Sequence, residues 1–441
     1  MLDVREGCCE FHNGDPSVGK MKVPKQRIGL ILILGSCGFA PCVVPLLLNG
    51  TCAYGTTERA ESRASLAVYN EDQANQQSHS NANPKSFEKL AESARAAMEA
   101  DQIPEAIRLY TRATMLRPSW SEGWWHLGTL FFDAGRFTDA RDAFAHFVSV
   151  ERKQPGPGFA MLGLSEFQLK NYPKALAALE HGKKLGLGTD QAFIHAALFH
   201  DGILYNLLGE PEIALQRLTL AANQIAAANP EAAKDAVFAN LELLDAFGIA
   251  ALRIPKLPSD LGEARVPLVR QAGRAQALIA LLDNVSAETE FKQLLALYPS
   301  EPGVHYMYAV FLLKERPSLA VDEFRREIEI SPSHAVARIQ LALEFLRTAD
   351  YEQSQKYAKE AVALAPQNFA AHVAYGRLWL ALGKTDSALQ ELRTAVKLAP
   401  GSPHAHLALS RALYKAGQKS EAAREQAEFE RLKALSDATD Q

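Results

Sequence analysis

Histidine is the side chain best suited to acid–base or metal chemistry near neutral pH, and the spacing of the histidines here argues against both. His195 and His200 lie five residues apart, and His404 and His406 two apart, whereas zinc-binding helices set their pair at i and i+4 on one face. The sequence contains no HExxH and no GxxxxGK[ST] phosphate loop. Gly156, Gly158 and Gly163 miss the GxGxxG spacing and follow a helical pattern rather than a strand. Gly163-Leu164-Ser165 begins like a nucleophile elbow, but Phe167 stands where the second glycine belongs. The five cysteines are Cys8, Cys9, Cys37, Cys42 and Cys52, so beyond residue 52 a disulfide framework or thiolate metal site is ruled out. The expectation is no catalytic residue, no cofactor and no metal site.

The elements that carry these residues are helices. Hydrophobic residues make up 48% of the 441 positions and aromatics only 8%, and the regular stretches are dominated by Ala and Leu, which suit thin, closely packed helices better than strands. With no strand-rich segment, an α/β catalytic domain has nowhere to sit. A formal net charge of −4 and a pI near 6.3 argue against a nucleic-acid binder.

The helices repeat. One column of small residues runs through Ala94, Gly128, Gly163, Gly202, Ala342, Gly376 and Ser410. A second, twelve residues later, reads Ala106, Ala140, Ala175, Ala214, Ala287, Ala320, Ala388 and Ala422, with Ser354 filling its one vacant step of 34. A third is Pro118, Pro230, Pro299, Pro332, Pro366 and Pro400, the last four 33, 34 and 34 apart, placed where a second helix must stop. Ser119 to Glu122 reads as a capping box, and Ser402-Pro403 as a cap before a first-turn proline. Between the columns, Trp124, Leu127 and Phe131 precede Phe144, and His372, Tyr375 and Trp379 precede Leu392. Two short helices with small residues at their crossing approach closely, large neighbours interlock, and one pair needs the next to bury its apolar faces.

WWHLGTLFFDAGRFTDARDAF and AAHVAYGRLWLALGKTDSALQELRTAVKLAP resemble tetratricopeptide repeats in their aromatic, Leu-Gly, alanine and proline signature. The resemblance covers most of residues 87–436 and implies an all-α fold of tandem helix-turn-helix repeats stacked into a right-handed superhelical solenoid. The expected organisation is an N-terminal signal or anchor at 1–54, a flexible polar linker at 55–86, repeats at 87–228, a degenerate or hinge helical segment at 229–267 and repeats at 268–436. Tyr308 and Phe147 depart from the pattern by placing large residues at small positions. Prolines 255, 258 and 267 predict an irregular stretch that divides the array in two.

Ahead of the repeats, Lys20, Lys22, Lys25 and Arg27 precede an uncharged run from Ile28 to Leu48, long enough to span a bilayer and oriented to place the repeats outside the cytoplasm. Three readings stand: a signal peptide cleaved near Thr51-Cys52-Ala53, an uncleaved anchor, or a lipoprotein whose lipidated N-terminus is Cys37, after the lipobox-like Leu34-Gly35-Ser36. The start itself is open between Met1 and Met21. Asn49-Gly50-Thr51 and Asn284-Val285-Ser286 match glycosylation sequons. The expected location is extracytoplasmic, periplasmic or secreted, or membrane-anchored with the repeats outside, and the membrane is met through the N-terminal segment only.

The resemblance further implies that first helices line a concave groove for a protein or peptide segment. Residue by residue, this gives an apolar strip with Trp125, Phe132, Phe167 and Phe199, and a C-terminal stretch with Arg377 and Arg411. The lysine, asparagine and arginine clamp of the family's chaperone-tail binders has no counterpart, since Trp125 and Thr129 occupy such places. The expected function is a non-catalytic protein–protein interaction scaffold, serving envelope assembly or secretion. The alternatives are an enzyme whose site is unconventional or completed by a partner, and a cytoplasmic adaptor.

Overall fold

The computed structural model describes residues 84–439; the cysteines, the basic cluster, the Ile28–Leu48 run, the first sequon and the linker up to residue 83 lie outside the described residues. Among the described residues there are twenty α-helices and no strand, and no helix is long and apolar enough to cross a membrane. Eight of them form the first four pairs: α1 (Pro84–Glu99) with α2 (Ile103–Leu116), α3 (Ser121–Asp133) with α4 (Phe137–Val150), α5 (Gly156–Gln168) with α6 (Tyr172–Leu185), and α7 (Gln191–Leu207) with α8 (Pro211–Ala228). Then come α9 (Ala233–Ala239) and α10 (Leu241–Ala251). Five further pairs complete the array: α11 (Val266–Ala280) with α12 (Asn284–Leu297), α13 (Val304–Leu312) with α14 (Pro317–Ile330), α15 (Ala335–Arg347) with α16 (Tyr351–Leu364), α17 (Phe369–Ala381) with α18 (Thr385–Leu398), and α19 (Pro403–Lys415) with α20 (Lys419–Thr439).

The two small columns meet where the helices of a pair cross. A Cβ on Gly128, Gly163, Gly202 or Gly376 would fall 2.8, 2.8, 2.8 or 2.6 Å from Phe144, Leu179, Leu218 or Leu392 respectively. Each of these large residues follows its glycine by sixteen positions, and each is fully buried. Where a serine replaces the small residue, its hydroxyl crosses the same gap. Ser354 Oγ donates to Ala342 O at 2.8 Å, and Ser410 Oγ to Ala422 O at 2.9 Å. Hydroxyls buried at a crossing thus find a partner and avoid the cost of an unmade bond.

The departures are compensated locally. Phe147 fits because Gly158, on α5 of the next pair, leaves it room: a Cβ there would lie 2.2 Å from the ring. The glycines at 156 and 158, unsuited to phosphate, are thus sites of close approach. Tyr308 is buried in an aromatic group with Phe291 and Phe311, at ring separations of 5.4 and 6.3 Å. The capping box expected at Ser119–Glu122 does not form, because Glu122 receives both Arg95 Nε and Nη2 at 2.8 Å across the pair boundary, and the residue before α3 is Trp120. Ser402 does cap α19, accepting from Ala405 N.

The proline-rich stretch differs from a division into two arrays. Helix α10 packs along α11, so closely that a Cβ on Gly248 or Gly273 would sit 1.8 Å from Val269 O or Leu244 O. The segment between them is a strap pinned at several points. Asn206 Nδ2 donates to Ile254 O at 2.7 Å, Arg253 pairs with Glu212, and Ile254 and Leu261 pack on a core that runs from Ile249 to Ala374. Burial of apolar area continues through the segment, so it is an insertion into a continuous core.

Turns between paired helices place one residue in the left-handed region: Asp101, Gly135, Lys170, Gly209, Leu282, Ala349, Gly383 and Gly417. Leu282 is the costly member, with φ of 61° and a side chain 84% exposed that gains nothing by burial. Leu282→Gly is therefore expected to stabilise the protein by about 1 kcal/mol, read as a rise in the urea midpoint at unchanged slope; a lowered midpoint would show the leucine makes a contact that matters.

Candidate protein-binding face

The face is built from the first helices of successive pairs. In the N-terminal half its expected aromatic strip is largely used up in packing. Phe132 is buried, edge-on to Phe137 at 5.3 Å, and Phe199 is buried among Leu243, Leu244 and Phe247. The reason is α10, which lies against α7 and covers the row Phe199, Ile203 and Asn206; the strap takes the last of these. Phe132 and Phe199 are thus corrected from partner contacts to core. Phe167 is half-buried between Tyr172 and His200, at ring separations of 5.8 and 4.9 Å. Trp125 is half-buried against Phe144 and Phe147 on its own pair's second helix, at 5.7 and 5.3 Å. These two retain a solvent-facing edge only.

The C-terminal half keeps an open face. Arg377 on α17 and Arg411 on α19 are both exposed, at the same place in consecutive pairs, 34 residues apart. Tyr414, one turn beyond Arg411, is 69% exposed. Lys415 Nζ donates to Leu380 O at 2.8 Å, which joins α19 to α17 along this face and holds a further cation there. Leu343, Leu346, Leu380 and Leu407 are half-buried and supply an apolar floor. On α15, Glu344 is already held by Arg347 Nε at 2.9 Å. The arrangement offers two exposed guanidiniums, which can accept carboxylates in fork geometry, and an exposed aromatic ring that can bury apolar area.

In the N-terminal half one cluster of charges is engaged inside the array. Asp201, wholly buried on α7, is met by Lys183 and by Arg217 Nε at 3.4 Å; burial pushes its carboxyl up to about 6, against the pull of Lys183 and Arg217. Glu180 takes Lys183 Nζ at 2.8 Å and the Tyr205 hydroxyl at 3.0 Å. This network lies inside the α6–α8 packing, where its charges cross-link helices. Among the described residues no group of histidine, cysteine or carboxylates could hold a metal ion.

Three segments, 92–156, 339–403 and 380–434, match the family model described as tetratricopeptide repeat. Curated proteins include no match. Among solved structures, MamA (41-end) from Desulfovibrio magneticus RS-1 is 17% identical, with 38% of this chain and 96% of that one covered at a TM-score of 0.34. PilF of Pseudomonas aeruginosa is 20% identical over 38% of this chain and 76% of its own, at 0.34. Yeast Tom70 is 13% identical over 80% of this chain and 86% of its own, at 0.33. Likenesses at such TM-scores carry no argument about partner or pathway.

Proposed function

As the chain is a tetratricopeptide-repeat protein, we propose that it serves as a protein-interaction scaffold and holds an acidic partner segment on the first-helix face of α15, α17 and α19. The observation that carries the reading is the pair Arg377 and Arg411, exposed at equivalent places above an apolar floor. Arginines at an open rim steer association and fix orientation, while Tyr414 and the leucines beneath supply contact area. The basic cluster and uncharged run at Lys20 to Leu48 support a location outside the cytoplasm, by export or tethering, with a role in envelope assembly or secretion.

The test is binding of a fluorescent peptide of alternating glutamate and leucine, compared between the wild type and Arg377→Glu/Arg411→Glu. Reversing two rim charges is expected to weaken binding about tenfold or more at low salt, with the gap narrowing as salt screens it. Far-UV circular dichroism should be unchanged. Equal binding by both proteins would remove the arginine face from the reading. Fractionation with N-terminal sequencing of the mature chain tests the location, and a cytoplasmic protein that retains Ile28–Leu48 would refute it.

A further inference from the structure

Four turns between successive pairs share one hydrogen bond from a ring nitrogen to the carbonyl of the proline six residues earlier. Trp124 Nε1 donates to Pro118 O at 2.8 Å. His305 Nε2 lies 3.0 Å from Pro299 O, His372 Nε2 3.0 Å from Pro366 O, and His406 Nε2 2.9 Å from Pro400 O. The three histidines also turn Nδ1 to a glutamate on the second helix of their own pair, at 2.5 Å for Glu323, 2.7 Å for Glu391 and 2.6 Å for Glu425. All three rings are buried. On α15 the corresponding place holds Arg338, which donates to Glu360 at 2.8 Å and to His334 O at 3.3 Å.

A carbonyl oxygen and a carboxylate oxygen can only accept. An imidazolium donates from both nitrogens and satisfies both, whereas a neutral imidazole carries one N–H and must turn a lone pair toward the other acceptor. At 2.5–3.0 Å, two lone pairs repel and one of the two links opens. We propose that His305, His372 and His406 form a proton-operated latch: protonated, each ties the end of the preceding pair to its own second helix, and loss of the proton to water releases one tie. The latch acts on the joints α12/α13, α16/α17 and α18/α19. At the corresponding places Trp124 makes the proline tie alone and Arg338 bonds Glu360 and His334 O, links that no proton in the accessible range can open.

The charged groups facing each ring support this. His305 meets Glu323 and, nearby, Glu327, with Arg326 Nη1 on the far oxygen of Glu323 at 2.7 Å. His372 meets Glu391. His406 meets Glu425, with Glu428 close by and held by Arg431. From the preceding pair each ring meets the proline carbonyl. The inference stands apart from the binding reading, although α17 and α19 carry both a latch and an arginine of the proposed face.

The experiment is backbone hydrogen exchange with mass spectrometry on the full chain at about pH 5.5 and about pH 8, corrected for intrinsic exchange. Protection in the first turns of α13, α17 and α19 should fall about threefold or more at the higher pH, while α3 holds constant and α15, capped by the neutral ring of His334, does not fall. His372→Arg and His406→Arg, following Arg338, should keep protection at both values. A uniform change across all five joints, or none, would overturn the latch, and this comparison within one wild-type molecule needs no variant to fold.

Discussion

Phe144→Ala is expected to cost about 3–5 kcal/mol of local stability, the largest effect of a single truncation at the helix crossings. The ring is fully buried and lies over Gly128 at the α3–α4 crossing, within 2.8 Å of where a Cβ would stand. Trp125 packs edge-on against it at 5.7 Å. Truncation therefore leaves a void lined on one side by a glycine with no side chain to move in, and by an indole already braced on Phe147. Sites that cannot collapse sit at the costly end of the large-to-small range. Because repeat arrays couple mainly to nearest neighbours, the loss should be read by hydrogen exchange in α3 and α4 and in the first denaturant transition. The corresponding aliphatic truncation, Leu392→Ala over Gly376, should cost about 2–5 kcal/mol in α17 and α18. A Phe144→Ala protein with α3 and α4 as protected as before would show the crossing is not what holds the pair.

The pairs are legible in the sequence because repetition multiplies every signal. One glycine followed sixteen residues later by a large apolar residue means little, but Gly128, Gly163, Gly202 and Gly376 with Phe144, Leu179, Leu218 and Leu392 mark a crossing wherever they recur. Features that escape such a reading depend on contacts with no sequence period. The fate of Phe199 turns on α10 lying against α7, and α10 belongs to the stretch where the repeat pattern lapses. Glu122 leaves its expected capping role for Arg95, 27 residues away. His372 reads in sequence as one of a row of large residues, because its proline precedes it by six and its glutamate follows by nineteen, spacings that no single helix face displays. Arg377 and Arg411, whose spacing of 34 residues is legible in the sequence, are exposed.

Acid should act on the array through His334, with an expected difference of roughly 3 kcal/mol. Its Nδ1 accepts the Ala337 amide at 3.1 Å and so caps α15, a role open only to the neutral ring. Burial, then the nearby Arg253 and Arg338 charges, lowers its pKa from 6.5 to about 4. Glu327 Oε1 stands 3.9 Å from Nε2, but its carboxylate is held by the Gly303 and Tyr306 amides, and Tyr306 lies 4.8 Å away ring to ring. A base whose folded pKa is depressed binds protons less readily in the folded than in the unfolded state. Its contribution is thus full above about 6.5 and lost as pH falls toward 4, at about 1.4 kcal/mol per unit. Asp201 works in the opposite sense, because its folded pKa is raised by burial to about 6 and acidification relieves a buried charge. The wild-type profile alone would blur the two, so the measurement is the difference between wild type and His334→Asn. Asparagine can cap α15 without a proton to gain, and the Asp201 contribution cancels between proteins whose sites lie in separate pairs. Wild type should be the more stable near neutral pH, where its ring still packs on Tyr306, and should lose about 3 kcal/mol relative to the variant between pH 6.5 and 4. Parallel profiles would mean that His334 takes up its proton in the folded protein as readily as in the unfolded chain, and that the Ala337 amide finds its acceptor elsewhere.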